Sequence, residues 1–234
     1  MSEKERLILY TADVSPLMER ERFEAAYRSV SPARREKTDR YRFEADKRLS
    51  LGAELLLQHA CRFFGIAFEQ EKIIAGEWEK PRFESGRAAF NLSHSGNTVL
   101  CAISELPVGC DVQKKDPGQS QIARRFFHPE EYAALCACAT EEERDRLFYR
   151  LWTLKESFIK CTGRGLSMPL DSFRICFTPE GVRTEQCFDT NAYRFFENDP
   201  GDGNAYACCV LLPEGSGEKA PVPVWRNVTL EELL

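Results

Sequence analysis

The sequence predicts an α+β protein built from two similar halves. In each half, segments with a helical pattern come first and segments with a β pattern follow, and no low-complexity linker lies between them. A chain of 234 residues suits one large domain or two of about 110 residues each. We therefore expect a closely paired duplication with halves at 1–105 and 106–234.

The elements of the first half follow from turn and cap signals. They are a strand at 6–10, helices at 15–30 and 31–64 with a candidate break at Phe43, and strands at 72–75, 88–92 and 98–104. Both helices begin with Ser-Pro, in which Ser is the N-cap and Pro takes the first helical position. Polar turns are expected at 78–81 and 93–97.

The second half repeats this order without repeating the residues. Its elements are a strand at 108–113, helices at 119–127, at 129–138 and from 141 onward, and strands at 172–177, 182–187, 193–197 and 206–212. Residues 178–181 predict a hairpin turn, and residues 215–223 predict a loose polar loop.

The composition excludes several classes of protein. Hydrophobic residues make up 43% of the chain, which is enough for a sizeable core. A net charge of −5 and a pI of about 5.5 argue against a dedicated nucleic-acid binder. The N-terminus lacks the apolar core of a signal peptide, and the longest apolar run, 205–212, is too short to span a membrane. We expect a soluble, cytoplasmic protein.

The ten cysteines indicate neither a disulfide framework nor a zinc site. No Cys-x-x-Cys pair is present in the sequence, and the three histidines are scattered without ligand spacing. We expect reduced thiols that pack as small hydrophobic side chains.

The segment 147–170 has the most unusual helix face in the chain. At about 100° per residue, Trp152, Glu156 and Lys160 fall on one side, and the opposite side is apolar. The helix stops at 163–165 (Gly-Arg-Gly), which places backbone amides and a cation near the polar face. A solvated face with one Glu–Lys pair is the alternative explanation, but the tryptophan favours a functional site.

Strand 108–113 places Gly109, Asp111 and Gln113 on one face, because side chains alternate along a strand. Asp111 and Gln113 lie about 7 Å apart at Cα. Two oxygen donors with a glycine beside them suit a hard cation such as Mg²⁺. On this segment alone, an exposed strand end that carries an Asp is the simpler explanation.

Residues 34–48 are unusually basic for an acidic chain. Seven cations stand against four acids, a local charge of +3. The cations are Arg34, Arg35, Lys37, Arg40, Arg42, Lys47 and Arg48. Either a solvated helix face or a binding site for phosphate groups accounts for this charge.

Three familiar catalytic signatures are absent from the sequence: the Gly-x-Ser-x-Gly elbow, the P-loop and the Gly-x-Gly-x-x-Gly fingerprint. What remains is a carboxylate pair on different elements, Asp111 and Glu156, with basic residues in both halves and a Ser-His-Ser-Gly turn at 93–96. This set suits a polyphosphate ligand held through a divalent cation.

Four blocks of the sequence carry a family resemblance. They are 90–96 (FNLSHSG), 108–112 (VGCDV), 152–160 (WTLKESFIK) and 163–171 (GRGLSMPLD). These blocks resemble the 4′-phosphopantetheinyl transferases, most closely the long type that activates surfactin synthetase. The match is ordered along nearly the whole chain, and it also includes 31–37 (SPARREK), 80–81 (KP) and the terminal Glu-Glu-Leu-Leu.

The resemblance implies a fold and a reaction. The fold is a monomeric, pseudo-twofold pair of α+β subdomains with the active site and coenzyme A in the cleft between them. The enzyme moves the 4′-phosphopantetheine arm of coenzyme A to a serine of an apo acyl or peptidyl carrier protein and releases adenosine 3′,5′-bisphosphate, with Mg²⁺ as cofactor. Whether the carrier belongs to fatty-acid, polyketide or nonribosomal-peptide synthesis is left open by the sequence. No nucleic-acid or membrane partner is expected.

The resemblance also implies roles for individual residues. Asp111 and Glu156 match the metal carboxylates, with Gln113 beside them, and Lys155 and Lys160 match phosphate-facing or catalytic lysines. The expected contacts to coenzyme A are Arg34, Lys37, Arg48, Lys80, Ser93, His94, Asp111, Lys155 and Lys160. Glu156, directly or through a metal-bound water, is expected to take the proton of the incoming serine, while Mg²⁺ and the lysines neutralise charge on the pyrophosphate.

The sequence departs from the family pattern at two positions. Gln113 stands where many members have a second carboxylate, so the metal should be held less tightly or through a water. Leu49 follows Arg48, where the surfactin type favours a small hydroxyl residue, and Ser50 is adjacent.

Two other functions fit parts of the sequence. Gln113 favours a coenzyme A-binding or regulatory protein with weakened catalysis. The basic segment 34–48 favours an RNA binder, but the acidic pI and the lack of interleaved aromatic residues oppose that.

The carrier protein is expected to dock at residues 114–127, which follow the metal strand. This segment mixes cations with aromatic residues, namely Lys114, Lys115, Arg124, Arg125, Phe126 and Phe127. Acidic helices of a carrier would be steered toward those cations.

Overall fold

The computed structural model of this chain describes residues 6–76, 80–213 and 221–234 and shows an α+β protein. The chain divides into two compact units. Within the described ranges, unit 1 holds residues 6–74, 81–105 and 221–234, and unit 2 holds residues 75–76, 80 and 106–213.

The helices and strands lie close to their predicted positions, with the exceptions given below. Up to residue 105 they are β1 (Leu7–Asp13), α1 (Arg20–Ser29), α2 (Pro32–Asp39), α3 (Glu44–Phe63), β2 (Ile73–Ala75), β3 (Pro81–Phe83), β4 (Ala89–Ser95) and β5 (Thr98–Ser104). From residue 106 they are β6 (Val108–Lys114), α4 (Ala123–Phe126), α5 (Pro129–Cys136), α6 (Glu141–Thr162), β7 (Arg174–Thr178), β8 (Gly181–Glu185), β9 (Ala192–Asn198), β10 (Asn204–Leu212), β11 (Val224–Asn227) and α7 (Leu230–Leu233).

The two units share one strand topology. The sheet order is β1-β5-β4 in unit 1 and β6-β10-β9 in unit 2, with all of these pairs antiparallel. In each half of the chain, the strands of a two-stranded sheet (β2-β3 or β7-β8) come in sequence after the long helix (α3 or α6) and before the hairpin (β4-β5 or β9-β10). The same order of elements therefore occurs twice, which confirms the predicted duplicated α+β fold.

The core of unit 1 lies between α3 and its sheet. Helix α3 packs on β1 and β5, and its apolar face is almost fully enclosed, with Leu51, Leu55 and Leu56 among the most buried side chains. Each such side chain contributes about 1.5–3 kcal/mol when it leaves water.

The core of unit 2 is built in the same way around α6, which packs on β6 and β10. Phe158 lies at its centre. The ring of Phe158 is 4.8 Å from that of Tyr193 in an edge-on arrangement and 4.9 Å from that of Phe173. Such aromatic pairs fix the position of the helix as well as burying apolar area.

The first predicted helix begins later than expected. Residues Ser15–Met18 form a single 3-10 turn, and α1 starts at Arg20. The backbone N–H of Ser15 and its hydroxyl both donate to the carboxylate of Asp13, at 2.8 and 2.6 Å, so Ser15 does not act as the N-cap. The second Ser-Pro prediction is confirmed, because the Ser31 hydroxyl accepts from the N–H of Arg34 and α2 begins at Pro32.

The turn predicted at 93–97 is wrong for its first three residues. Strand β4 continues through Ser95, which pairs with Thr98, so the loop contains only Gly96 and Asn97. Gly96 has φ = +59°, a value that a two-residue hairpin turn requires and glycine supplies without strain. The Ser-His-Ser string therefore lies on a strand.

The predicted second half, 106–234, is wrong at its C-terminal end. Strand β11 pairs in parallel with β1, Ile8 opposite Val224, and α7 places Leu230 and Leu233 in the core of unit 1. Hydrophobic burial thus assigns 221–234 to unit 1. The turn predicted at 78–81 and the loop predicted at 215–223 fall largely outside the described residues.

Two further observations concern the whole set of described residues. All ten cysteines are free thiols, five of them fully enclosed in β-sheet or helix packing as Cys61, Cys101, Cys110, Cys208 and Cys209. Among the described helices, none has the length and apolar character needed to cross a membrane.

Candidate active site

Helix α6 presents the predicted polar stripe. It begins at the cap Thr140, whose hydroxyl accepts from the N–H of Glu143 at 3.1 Å, and it ends at Gly163 with φ = +75°. Trp152, Glu156 and Lys160 are only partly buried, whereas the residues between them are enclosed. Periodicity therefore identified the open face of this helix.

Gly109 lets strand β6 lie directly against α6. A Cβ at this position would come 2.1 Å from the carbonyl oxygen of Ser157 and 2.2 Å from the amide nitrogen of Cys161. Both atoms belong to the helix backbone, so a side chain here would force the two elements apart. Asp111 and Gln113 share the face of β6 that carries Gly109.

The close approach brings Asp111 to the polar stripe of α6. The Nζ of Lys160 donates to Oδ1 of Asp111 at 2.6 Å. The Asp111 side chain is 6% exposed and that of Lys160 is 27% exposed, so the pair lies at the edge of the unit 2 core. A charge-assisted bond in this setting is stronger than one in open water.

The carboxylate of Glu156 interacts electrostatically with both members of the Asp111–Lys160 pair. Burial, followed by repulsion from Asp111, raises the pKa of Glu156, and Lys160 opposes that shift only in part. Burial works to lower the pKa of Lys160, but attraction to Asp111, with smaller contributions from Cys110 and Glu156, outweighs it and the pKa is raised. Two carboxylates and one ammonium thus interact, with a net charge of −1 when all three are ionised.

Gln113 lies at the end of β6, on the same face as Asp111, and is half-buried. It pairs with Ala205 of β10. Among the described residues, no group of three or more His, Cys, Asp or Glu side chains comes together as a metal site. The oxygen donors of the candidate site are thus Asp111 and Gln113 on this face of β6 and Glu156 on the polar stripe of α6.

The sequence predicts that Lys155 faces phosphate groups or takes part in catalysis, but the structure places its side chain in the core of unit 2. Its Nζ is fully enclosed and donates to the carbonyl oxygens of Leu170 and Phe173, both at 2.8 Å, and it lies 2.8 Å from the Glu131 carboxylate. An ammonium has three donors, and these acceptors occupy all of them. Lys155 is a buried structural cation and has no surface on which to meet a phosphate or a substrate.

Glu131, the buried partner of Lys155, is not singled out by the sequence patterns. It is the third residue of α5, and its carboxylate accepts from the N–H of His128 at 3.0 Å in a capping box. The same carboxylate accepts from the N–H of Ile175 at 2.8 Å. The His-Pro-Glu-Glu string signals the cap, but nothing local signals the lysine partner.

Lys80, expected to contact coenzyme A, holds backbone atoms of unit 2. Its Nζ donates to the carbonyl oxygens of Val108 and Cys161, at 2.8 and 3.2 Å. Cys161 lies in the last turn of α6, where a cation is favoured by the helix dipole. Burial lowers the pKa of Lys80. The lysine thus ties the start of β6 to the end of α6.

Unit 1 contains the other predicted contacts, beginning with Arg34 and Lys37 on α2. The Nε of Arg34 donates at 3.0 Å to the buried carboxylate of Glu54, which also accepts from the hydroxyl of Ser31. Burial and the neighbouring charge of Arg34 lower the pKa of Lys37. Two cations that repel each other on one helix would be stabilised by an anion.

Arg48 lies on α3, and its Nε is buried without a hydrogen-bond partner among the described residues. A buried guanidinium donor left in this state is costly unless a ligand occupies it. The neighbouring Leu49 is enclosed in the core, and the hydroxyl of Ser50 lies 3.0 Å from that of Thr38. The hydroxyl of Ser50 therefore forms part of the contact between α2 and α3.

Ser93 and His94 occupy successive positions of β4, so their side chains point to opposite faces of the sheet. Ser93 is buried and His94 is exposed. The two side chains, which the sequence predicts together in one turn, therefore lie on opposite faces of a strand.

Comparisons with known proteins agree on one family. Residues 107–211 match the family model described as 4′-phosphopantetheinyl transferase superfamily, and residues 16–106 match the 4′-phosphopantetheinyl transferase N-terminal model. The chain is 36% identical over 190 residues to 4′-phosphopantetheinyl transferase Sfp of Bacillus subtilis (strain 168), covering 79% of this chain and 84% of that one.

Two other relatives show similar agreement. A 4′-phosphopantetheinyl transferase of Bacillus subtilis is 38% identical over 189 residues, covering 80% of this chain and 84% of that one. The 4′-phosphopantetheinyl transferase gsp of Aneurinibacillus migulanus is 35% identical over 185 residues, covering 79% of this chain and 77% of that one.

The duplicated α+β fold and these matches define the class: the chain belongs to the 4′-phosphopantetheinyl transferase superfamily. Within the superfamily it is of the Sfp-like type. It is an enzyme that transfers phosphopantetheine from coenzyme A to carrier proteins. The alternative of a regulatory protein with weakened catalysis has only the amide at Gln113 in its favour.

Proposed function

We propose that Asp111 and Glu156, with the amide oxygen of Gln113, hold Mg²⁺ for the transfer reaction. The observation that supports this most directly is the contact of Asp111 with Lys160 beside Glu156 on the open face of α6. Hard cations prefer such oxygen donors, and Mg²⁺ is commonly bound by one or two carboxylates together with substrate phosphates. A site with two carboxylates and an amide fits that pattern.

Bound Mg²⁺ would neutralise the charge that develops on the pyrophosphate of coenzyme A. Phosphate binding and proton transfer are proposed for two side chains of unit 2. Lys160 carries a firmly held positive charge, because its pKa is raised, and it binds the phosphate oxygens of the leaving group. Glu156 accepts the proton of the carrier serine as its oxygen attacks the phosphorus, and adenosine 3′,5′-bisphosphate leaves.

The basic residues of unit 1 are proposed to bind coenzyme A. The depressed pKa of Lys37 beside Arg34 and the unpartnered Nε of Arg48 both support an anionic ligand at this surface. His94, which is exposed on β4, is proposed to contribute a further contact, whereas the buried Ser93 faces the other side of the sheet. Arginine and lysine recognise phosphate through charge-assisted bonds, which suits a ligand with several phosphate groups.

The carrier protein is proposed to dock on residues 114–127 of unit 2. Ile122 and Phe126 are exposed there, and the guanidinium of Arg125 lies 5.3 Å from the ring centre of Phe126. Phe127, included in the sequence prediction, is instead buried and stacks on Phe148 at 5.5 Å. Two exposed apolar side chains among cations suit an acidic partner helix.

The test is an assay of the carrier by intact mass. The protein is incubated with coenzyme A, Mg²⁺ and apo carriers from fatty-acid, polyketide and nonribosomal-peptide systems. We expect at least one carrier to gain phosphopantetheine, and we expect chelation with EDTA to stop the gain. Unchanged transfer after chelation would refute the role of the divalent cation, and no gain with any carrier would refute the reaction.

Variants assign the site in the same assay. Asp111→Asn should slow the transfer strongly, while the control Glu180→Gln, in the exposed β7–β8 turn, should not. Equal rates for the two variants would contradict the proposed site.

A further inference from the structure

The ion pair between Lys155 and Glu131 joins three parts of unit 2. Lys155 belongs to α6, Glu131 to α5, and the carbonyl oxygens of Leu170 and Phe173 to the segment that leads into β7. The N–H of Ile175, in β7 itself, completes the set by donating to Glu131. Both side chains are almost completely enclosed, 0% and 2% exposed.

The surroundings of the ammonium are as restrictive as its hydrogen bonds. The Nζ of Lys155 lies 4.1 Å from the ring centre of Phe173 and 5.7 Å from that of Phe127. Aromatic faces attract a cation and leave it little room to move. Replacing a buried ion pair by apolar side chains of similar volume does not in general lower the free energy of unfolding. The cost of taking the two charges out of water offsets their attraction. The better-attested effect of a buried ion pair is to favour one packing of the surrounding elements over the alternatives.

Helix α6 is thereby held from two directions. Strand β6 fits against its backbone at Ser157 and Cys161 through Gly109, and the Lys155 network fixes it against α5 and β7. Lys155 immediately precedes Glu156, so a rotation or sliding of the helix that frees Lys155 must also move the Glu156 carboxylate relative to Asp111.

We propose that Lys155 and Glu131 are positioning residues for transfer, which set the rotation of α6 so that Glu156 and Lys160 meet Asp111. Neither residue touches the substrate. The inference rests on the proposed roles of Asp111 and Glu156. A displacement of about 1 Å at a reacting group costs on the order of 100-fold in rate, so a helix held loosely loses turnover while its binding residues remain present.

The experiment removes both charges together. The double variant Glu131→Gln with Lys155→Met keeps the volumes and leaves no uncompensated buried charge. The matched control is Arg150→Met with Glu197→Gln, which removes a bidentate pair of two 2.8 Å bonds from the partly exposed side of the same helix. Both variants are checked for cooperative unfolding, and kcat and KM are then measured for coenzyme A and the carrier.

We expect kcat of the double variant to fall at least about tenfold, with both KM values changed less than about twofold. Binding of Mn²⁺, followed by electron paramagnetic resonance, should weaken several-fold, while the control keeps wild-type values throughout. A folded double variant with wild-type kcat and Mn²⁺ affinity would overturn the proposal, since it would leave the pair with a purely structural role. So would a control variant with the same losses.

A second variant decides the matter if the double variant does not fold. Lys155→Arg keeps the charge, but a planar guanidinium cannot place its donors on the same three acceptors. We expect a folded protein with reduced kcat, and wild-type kcat in this variant would overturn the proposal. The wild-type enzyme and Glu156→Ala are run beside it. Failure of the wild type to transfer, or full activity of Glu156→Ala, refutes the proposed site itself and is distinguishable from failure of the positioning role.

Discussion

Lys160 and Asp111 face each other across the junction of α6 and β6, with Nζ 2.6 Å from Oδ1. The contact depends on a residue that takes no part in it. Gly109, two positions before Asp111, has no Cβ and so allows the strand to touch the helix backbone. The geometry of the candidate site is therefore a consequence of the closeness of β6 to α6.

Gly109→Ala is predicted to damage both stability and activity. The new methyl group would meet two backbone atoms of α6 that cannot rotate away, and overpacking of this kind costs about 1–3 kcal/mol or more. Urea unfolding measures the free energy, and the carrier assay measures the transfer rate. The control is Gly52→Ala in the core of unit 1, where the nearest contacts of the new Cβ would be side-chain atoms of Val14 and Val99, the closest at 2.3 Å. It should also lose stability, but the folded variant should keep its transfer rate. Equal losses of transfer rate in the two variants would argue against the role given to Gly109.

Gln113→Glu is predicted to lower the Mg²⁺ concentration that gives half the maximal rate. A third carboxylate beside Asp111 and Glu156 adds attraction for a divalent cation. The measurement is the transfer rate as a function of Mg²⁺ after removal of divalent ions. An unchanged or higher requirement would place residue 113 away from the metal.

The affinity for coenzyme A is predicted to fall at alkaline pH because of Lys37. Burial and Arg34 lower the pKa of Lys37, so it loses its proton below the value of about 10.4 that is usual for lysine. The charge is present below this lowered pKa and is lost as the pH rises through it. Since kcat/KM reports groups of the free enzyme, kcat/KM for coenzyme A should decline there.

The control for this pH effect is Lys37→Arg. A guanidinium keeps its charge throughout the range, so the decline should move to higher pH. Superimposable pH profiles for the two proteins would mean that residue 37 does not bind the ligand as a cation.

Patterns of period 3.6 and period 2 were enough to find the open face of α6 and the Asp111 face of β6, because both depend on local geometry alone. The same patterns could not place Lys155. Periodicity sets it beside Glu156, but whether a flanking residue points in or out depends on a distant partner, here Glu131 on α5.

The C-terminal strand β11 illustrates a second limit. It is four residues long, and its partner β1 lies at the other end of the chain, so no local pattern connects Val224 with Ile8. The Ser-His-Ser string favours a turn by its residue types, yet the hairpin loop contains only Gly96 and Asn97. In both cases tertiary pairing overrode local preference.

We propose that Glu156 takes part in the transfer chemistry and contributes little to the stability of the fold. It lies on the open stripe of α6, away from the enclosed Leu154 and Phe158, so its removal should leave the core intact. The decisive measurement is the single-turnover transfer rate of Glu156→Ala beside its thermal unfolding midpoint. We predict a loss of about 100-fold to 10,000-fold in rate with an unfolding midpoint close to that of the wild type. Wild-type turnover in the folded variant would contradict this role of Glu156.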